Sequence, residues 1–500
     1  MGLIIRQGFK SSIGFYLGIV LGAVNTLFVS TQYLSPDQLA ISRILLENSL
    51  IFAAFAHLGT PYIADRFFSI FRSDTEQHHG FLVFLLLLPL VGIAIFGITF
   101  LFFQNVFEDY FRAKSATIIP YLWLLFPLTI IWIYVSVLEA YSRNNARIAV
   151  PTFLREVVFR LANMLLIFLF ALGWISYDQF LYLLIVSLGL ILLGLFGYIW
   201  HLGKLYLVWD TSKWNKKLML EMLGFGAIVI LGGVGANLVL FLDRNILANQ
   251  MGTTAVAIFT VATYIASIIE VPSKAVRNIS GPIMATAIQQ NDQSKIEELY
   301  KKSALNMLLI GGLAFWLIAS NLNSLLGILP KSEIYAQGKW VVLLIGAAKW
   351  IDMSLGLNTE MMAYSKYFKI NTLLVVLMAV LVVYTNTLLV PIYGVNGAAM
   401  ATSSITLLWA VLKLSFVRWK FGILPFSRED WEALGALILV ALAGFLIPNF
   451  GSNSFVVLIS IGCKSLIMAL IFVFLVVKFK LSDDLYFLYQ NQVKSRFSKK

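Results

Sequence analysis

Ala363-Tyr364-Ser365-Lys366 begins a run that stays apolar to Pro391-Ile392-Tyr393-Gly394 and re-enters apolar sequence through Val395-Asn396-Gly397-Ala398-Ala399-Met400-Ala401. The segment Ala363–Ser404 reads as a transmembrane hairpin. Its basic end marks one membrane face and the tight Pro/Gly turn marks the other. The returning helix opens with small residues. Gly397 and Ala401 are four apart, as are Gly394, Ala398 and Thr402, a spacing that lets a neighbouring helix approach closely. The opening tetrapeptide has an echo far upstream, Ala140-Tyr141-Ser142-Arg143.

The rest of the chain has the composition of such hairpins. Of its 500 residues 60% are hydrophobic and 12% charged, with a mean hydropathy of +0.85. Soluble domains carry about 25% charged residues, so this chain dissolves in lipid. The single cysteine, Cys463, excludes an internal disulfide. The first apolar run starts at Ser11 behind Arg6 and Lys10. Its length, its glycines and the many similar runs that follow make it an uncleaved first span rather than a signal peptide. Fourteen stretches reach the roughly 20 residues that a bilayer requires. They lie at 11–32, 39–60, 80–104, 117–138, 148–172, 178–200, 218–241, 254–272, 303–329, 339–360, 370–390, 394–416, 431–449 and 454–477. The longest connection, 272–302, alternates apolar and charged residues and is expected to hold an interfacial helix.

Lysines and arginines set the orientation. With the N-terminus inside, 26 of the 37 basic residues fall in cytoplasmic loops and the tail. Only Arg112, Lys114, Arg244, Lys331 and Lys339 fall outside, and six (Arg43, Arg155, Arg160, Lys349, Lys413, Lys464) lie within spans. The formal charge of +12 is therefore a topology signal, which removes nucleic acid as a partner. Both termini are expected on the cytoplasmic side.

Three short matches recur in order, each six spans apart. Gly22-Ala23 with Phe28 answers Gly235-Ala236 with Phe241, Pro61-Tyr62-Ile63-Ala64-Asp65-Arg66 answers Pro272-Ser273-Lys274-Ala275-Val276-Arg277, and the Ala-Tyr-Ser-Arg/Lys tetrapeptide repeats at 140 and 363. Six is even, so the copies share one orientation. The expected fold is all-α and integral to the membrane, with about fourteen spans. It divides into an N-terminal six-helix lobe (1–217), a C-terminal six-helix lobe (218–420), and a two-helix hairpin with a basic tail (421–500).

Leu242-Asp243-Arg244-Asn245-Ile246-Leu247 followed by Ala255-Val256-Ala257-Ile258-Phe259-Thr260-Val261-Ala262 resembles the span 7–8 region of polysaccharide-exporting transporters. The turn Pro391-Ile392-Tyr393-Gly394-Val395-Asn396-Gly397-Ala398-Ala399 is similar to the span 11–12 hairpin of the same family. The family is the multidrug/oligosaccharidyl-lipid/polysaccharide exporter superfamily, and the branch most resembled is that of the Wzx-type flippases. The resemblance in topology covers the whole chain, and its motifs cover mainly 220–410. It implies a V-shaped pair of lobes around a central cavity, moving lipid-linked sugars by alternating access. It further implies a bacterial cytoplasmic (inner) membrane and a role in cell-surface polysaccharide such as lipopolysaccharide O-antigen. The implied partners are a lipid-linked oligosaccharide, membrane lipid, a glycan polymerase or glycosyltransferases, and H+ or Na+ as coupling ion, with the protein a monomer.

Charge within the bilayer is costly and marks a pathway or a pair. Thr152, Glu156, Arg160 and Asn163 follow at i, i+4, i+8 and i+11, one face of a helix, with Arg155 beside them. Cavity lining is the expectation for this stripe; the alternative is a neutral clasp between Glu156 and Arg160. Lys349, Asp352, Gly356 and Glu360 share a face in span 10. Lys349 sits about 15 Å below Lys339, either as a cavity lysine or neutralised by Asp352. Arg43 and Glu47 are one turn apart in span 2 and read as a pair, and span 8 lines up Thr260, Thr263, Ser267, Glu270 and Lys274 on a polar face that ends at the cytoplasm. Lys464 is deep in span 14 and could meet a lipid phosphate or a carboxylate. A polyprenyl diphosphate suits such cations, arginine as a two-pronged donor and lysine as a point charge. The candidate substrate-binding set is Arg155, Arg160, Lys349 and Arg43. Glu47, Glu156, Asp352 and Glu270 are the charge-pairing or coupling set.

No metal cluster, nucleotide loop or nucleophile set is present in the sequence, and His78-His79 reads as a solvated loop pair, so neither a cofactor nor an enzymatic activity is expected. Three transporter readings stay open: an oligosaccharide flippase, a lipid II-type flippase suited by the two extra helices, and a cation-coupled multidrug exporter. The last often has an acid in span 1, where this chain offers Asn25 and Thr26. A membrane glycosyltransferase or polymerase would be expected to carry a long outer catalytic loop, and none is seen.

Overall fold

The computed structural model describes residues 2–210, 212–451 and 453–490; the side chains at 2–6, 8, 9, 231, 233–237, 239, 240, 368, 369, 488 and 489 are not among those described. Arg6, Lys369, the tail cations Lys494, Arg496, Lys499 and Lys500, and the Gly235-Ala236 arm of the repeat therefore lie outside the described side chains. Among the described residues all regular structure is helical, as the composition requires of a chain that must satisfy its backbone within each span.

Among the described residues ten helices are long and apolar enough to cross a membrane, or eleven if the pair Ser332–Met353 and Asn358–Tyr364, bent by 57°, makes one span. Of the fourteen expected, spans 5, 7 and 13 do not enter that tally. Span 5 carries three charges and is broken by a π-helical segment. Span 7 lies inside a 36-residue helix, several of whose side chains are not described. Span 13 opens on Arg428-Glu429-Asp430 and is 19 residues long. Large apolar side chains such as Phe102 and Leu446 stand about four-fifths exposed, which is the surface a lipid-facing helix presents.

The chain forms two compact units, 1–257 with 375–383, and 258–374 with 384–500. The first holds α1 (Gly2–Ala23), which continues through a π-helical turn Val24–Val29, then α2 (Pro36–Ala56), α3 (Thr60–Phe71), α4 (Phe81–Phe102), α5 (Gln104–Arg112), α6 (Leu125–Asn144), α7 (Phe159–Ala171), α8 (Tyr177–His201) and α9 (Lys216–Met251). A short helix Ala149–Phe153 and the π segment Leu154–Val158 lead into α7. Ser35 with Gln38 and Ser176 with Gln179 form reciprocal capping boxes at α2 and α8, each satisfying two free amides. Helix α9 packs along α2 and α3. The lobe boundaries at 217 and 420 follow the sequence repeat, whereas these units follow contacts.

The second unit holds most of α10 (Thr253–Ser267), α11 (Val271–Gln289), α12 (Gln293–Gly327), α13 (Lys339–Met353), α14 (Asn358–Tyr364), the two ends of α15 (Phe368–Tyr393), whose middle counts with the first unit, α16 (Val395–Phe421), α17 (Arg428–Leu446), α18 (Ser454–Phe479) and α19 (Asp483–Tyr489). The 272–302 connection is longer in helix than the sequence suggests. Helix α11 takes Pro272 in its first turn, where the missing amide costs nothing, and α12 begins at Gln293 behind an Asp292 cap.

The hairpin at Gly394 forms as read. Its φ of 58° with ψ of −133° is a conformation open to glycine alone, and it separates α15 from α16. A Cβ on Gly397 would collide with the Leu389 carbonyl, so the small residues do allow close approach. Ala398, Ala399 and Ala401 are fully buried, and α16 packs along α13 in the most extensive helix pair of the chain. Single cysteines replacing the exposed Lys366 and Tyr393, in a Cys463→Ser background, are expected to label from opposite sides of the membrane. Same-side labelling would remove the hairpin as a span pair.

The repeat recurs as contact within each unit. Arg143, in the upstream tetrapeptide, makes a two-pronged bond to Asp65 at 2.7 and 3.2 Å, and Asn144 donates to the same carboxylate at 3.1 Å. In the second unit Arg277 pairs with Glu360 at 3.5 Å, just before Ala363-Tyr364-Ser365-Lys366. In both copies the helix after the second span of the set meets the end of the fourth.

The solvated reading of His78-His79 is overturned. Both rings are almost fully buried. His79 lies between Glu76 at 2.6 Å and Asp210 at 3.0 Å, and Trp214 Nε1 donates to its carbonyl. Left-handed backbone at Gln77, His78, His79 and Gly80 turns the loop inward. Nearby, the Lys204 ammonium, 2.5 Å from Asp74, holds that carboxyl below the usual carboxylate range.

Candidate functional site

In the first unit the polar stripe before and along α7 faces α1. Gln7 Oε1 accepts from the Ala149 amide at 3.1 Å, Ser11 and Thr152 share a hydroxyl bond at 3.0 Å, and Asn25 Nδ2 donates to Asn163 Oδ1 at 2.8 Å. Arg160 Nη1 donates to the Gly18 carbonyl. A Cβ on Gly18 would fall 2.8 Å from that of Glu156, so glycine is what brings the helices this close. Such interhelical bonds are worth about 0.6 kcal/mol each in a membrane, and four in a row fix the register of two helices. The stripe read as one face is one face, and α1 covers much of it. The Asn25 Oδ1 is buried without a partner in the π-helical turn of α1.

Four charges run in alternation on the other side of this seam. Glu139 of α6 binds Arg155 at 2.7 Å, Arg155 lies 3.3 Å from Glu156, and Glu156 binds Arg160 at 2.9 Å. Arg155 and Glu156 sit in the π segment, whose wider turn brings neighbouring residues to one side. Arg155 is 43% exposed, whereas both carboxylates are 14% exposed. The cluster therefore presents an arginine outward from a buried acidic base. No sequence pattern marks Glu139. It directly precedes the Ala140 tetrapeptide, and only its position on α6 brings it to Arg155.

Besides Arg43, one turn away and within electrostatic reach of it, Glu47 has a partner across helices. Glu47 pairs with Arg244 of α9 at 3.2 Å, and the next residues, Asn48 and Asn245, exchange amide bonds at 2.8 and 2.7 Å. Arg43 Nη2 donates to Thr26 Oγ1 at 2.7 Å. Arg244, read as an outer-loop cation, is part of a helix and 12% exposed. Hydropathy falls off at 241, whereas the helix runs on to Met251.

In the second unit Lys349 of α13 binds Glu270 at 2.5 Å, and both are accessible, at 25% and 37% exposure. Asp352, offered by the sequence as the neutralising partner of Lys349, binds Lys413 of α16 instead, at 2.7 Å. The pairing is corrected because α16 lies on the Asp352 side of α13 while Glu270 lies on the other. Lys413 is 1% exposed and also reaches Thr359 Oγ1 at 3.3 Å. The structure thus gathers Glu139, Arg155, Glu156 and Arg160 into one cluster of the first unit, keeps Arg43 and Glu47 apart from it with Thr26 and Arg244, and leaves two separate pairs in the second unit, accessible Lys349–Glu270 and sheltered Lys413–Asp352. Among the described residues no group of three metal-ligating side chains occurs.

A multi-pass helical bundle with paired charges inside its spans has the build of a transporter. The chain belongs to the polysaccharide biosynthesis protein family, whose family model matches residues 6–273, more than half of its length. No curated protein matches it by sequence. Among solved structures it is similar to the lipid II flippase MurJ in an inward closed conformation, with a TM-score of 0.69, 13% identity, and coverage of 94% of this chain and 98% of that one. It is also similar to an inward-facing multidrug resistance MATE family transporter of the MOP superfamily, with a TM-score of 0.64, 17% identity, and coverage of 81% and 94%. A MOP superfamily transporter from Pyrococcus furiosus gives a TM-score of 0.56 at 17% identity over 85% of this chain and 96% of that one. The multidrug/oligosaccharidyl-lipid/polysaccharide exporter resemblance and the all-helical, multi-pass membrane fold are borne out.

Proposed function

We propose that the protein flips a polyprenyl-diphosphate-linked oligosaccharide from the cytoplasmic to the outer leaflet by alternating access, in the inner membrane of a bacterium and with both termini cytoplasmic. The observation that carries this reading is the pair of accessible in-span cations, Arg155 and Lys349, each held over buried or half-buried carboxylates. A diphosphate offers two or more negative charges that displace such carboxylate partners without leaving a cation unpaired, and the isoprenoid stays in lipid. Family membership supports a polysaccharide precursor as cargo. The cargo undergoes no chemical change, so the protein acts as a transporter and not an enzyme. Arg160 and Arg43 complete the cationic set, and Glu156, Glu270, Glu47 and Asp352 are the groups through which H+ or Na+ would couple.

A second reading, a lipid II-type flippase, is favoured by one observation. The MurJ likeness extends over 94% of this chain against 81% for the MATE transporter. Reconstitution in proteoliposomes tests both. The expected result is translocation of a fluorescent polyprenyl diphosphate oligosaccharide, with less of lipid II and none of a cationic dye. Dye efflux without lipid movement would overturn the flippase reading.

A further inference from the structure

Lys464 stands apart from the charge pairs described above. It sits within α18, 4% exposed, and its ammonium donates to the Ser320 carbonyl of α12 at 2.8 Å. Arg155, Arg160, Lys349 and Lys413 each have a carboxylate at 2.5–2.9 Å. Among the described residues Lys464 forms no ion pair. An ammonium has three protons to place, and one left without an anion in hydrocarbon costs several kcal/mol. The second unit keeps this ion buried all the same.

Lys464 lines a cavity of about 730 Å3. The same cavity takes in Lys339, the first residue of α13, and the amides of Asn323 and Asn449. Its remaining wall is aromatic and aliphatic, with Trp316 and Phe445 among the largest side chains. Phe445 is 62% exposed, which places an apolar rim where a hydrocarbon chain enters from the side. Two lysine side chains and aromatic rings lining one cavity are complementary to an anionic amphiphile. The volume lies in the range of ordinary ligand pockets, about 300–1,000 Å3.

We propose that this cavity binds the phosphate headgroup of an anionic membrane lipid, with Lys464 and Lys339 as its cationic contacts and an acyl chain against Trp316 and Phe445. The lipid is resident and is distinct from the transported cargo. It supplies the counter-charge that the protein withholds from Lys464, and it joins α18 to α12 and α13. This site does not depend on the flippase reading.

The test is thermal unfolding of the purified full-length protein in neutral detergent, with phosphatidylglycerol, phosphatidylcholine or inorganic phosphate added, alongside native mass spectrometry of retained lipid. Phosphatidylglycerol is expected to raise the midpoint by about 3 °C at saturation and to be carried into the gas phase, whereas the other two give less than a third of the shift. Lys464→Met removes an uncompensated buried charge and keeps the methylene packing, so it is expected to fold with an unchanged or higher midpoint and to lose the shift. Lys339→Met, at a helix start, is expected to weaken lipid retention at least threefold, which keeps the proposal testable if Lys464→Met fails to fold. An equal shift from phosphatidylcholine would overturn headgroup recognition. A full shift from inorganic phosphate would reduce the site to a free-anion site. An undiminished shift in both variants would remove the lysines from it.

Discussion

Lys413→Ala is expected to be the most destabilising single substitution in the second unit, by about 3–5 kcal/mol. The side chain is 1% exposed, and its ammonium lies 2.7 Å from Asp352 and 3.3 Å from Thr359. Asp352 lies in the last turn of α13 and Thr359 in the first turn of α14, so one ammonium ties both sides of the break in the bent helix. The Trp409 ring packs against the same ammonium at 5.2 Å. Alanine leaves Asp352 without its cation and opens a void of lysine length beside it. The cost comes chiefly from the stranded carboxylate, so removing both charges is expected to recover most of it. Asp352→Asn combined with Lys413→Met should lie within about 1.5 kcal/mol of the parent. The measurement is thermal or denaturant unfolding in detergent on the single and double variants. A single variant within 1 kcal/mol of the parent, or a double variant no better than the single, would show that the pair does not hold the break together.

The same pair shows where the sequence is readable and where it is not. Span order, the hairpin at Gly394 and the polar face of Thr152, Glu156, Arg160 and Asn163 follow from hydropathy, glycine conformation and helical period, which are local. The partners of the charges are not local. Lys349 and Asp352 sit on successive turns of α13, and periodicity offers them to each other. Packing instead sends one to Glu270 on α10's continuation and the other to Lys413 on α16. The stripe before α7 is similar: its face is legible, while its contact with α1 depends on Gly18, a single absent side chain. The π segment Leu154–Val158 then shifts Arg155 towards Glu139, a displacement that no regular period contains. His78-His79 fails for a related reason, since Asp210 reaches His79 from a linker 131 residues away in sequence.

Lys349→Ala is expected to lower glycan export at least tenfold, about 1.4 kcal/mol of transport barrier or binding, while the protein inserts and folds. The argument rests on exposure. Glu270, 37% exposed, can be solvated when its lysine goes, so the stability cost of breaking this pair stays near that of a surface bridge, under about 1 kcal/mol. A large loss of export with a small loss of stability assigns the ammonium to the cargo. Arg160→Ala and Arg155→Ala are expected to act in the same direction. Arg155 has the smaller stability effect because it is 43% exposed, and Arg160 the larger because it also holds the Gly18 carbonyl of α1. The decisive variant is the exchange Lys349→Glu with Glu270→Lys. It preserves the ion pair and moves only the position of the positive charge. If Lys349 is a phosphate contact, the exchange stays as defective as alanine, because the cation now projects from α10's continuation instead of α13. If the exchange restores export, the pair is a structural tie and the cationic site loses its second-unit member. Export at parental level in Lys349→Ala, Arg160→Ala and Arg155→Ala together, with each protein confirmed in the membrane by quantitative immunoblot, would sink the cationic route for the diphosphate altogether.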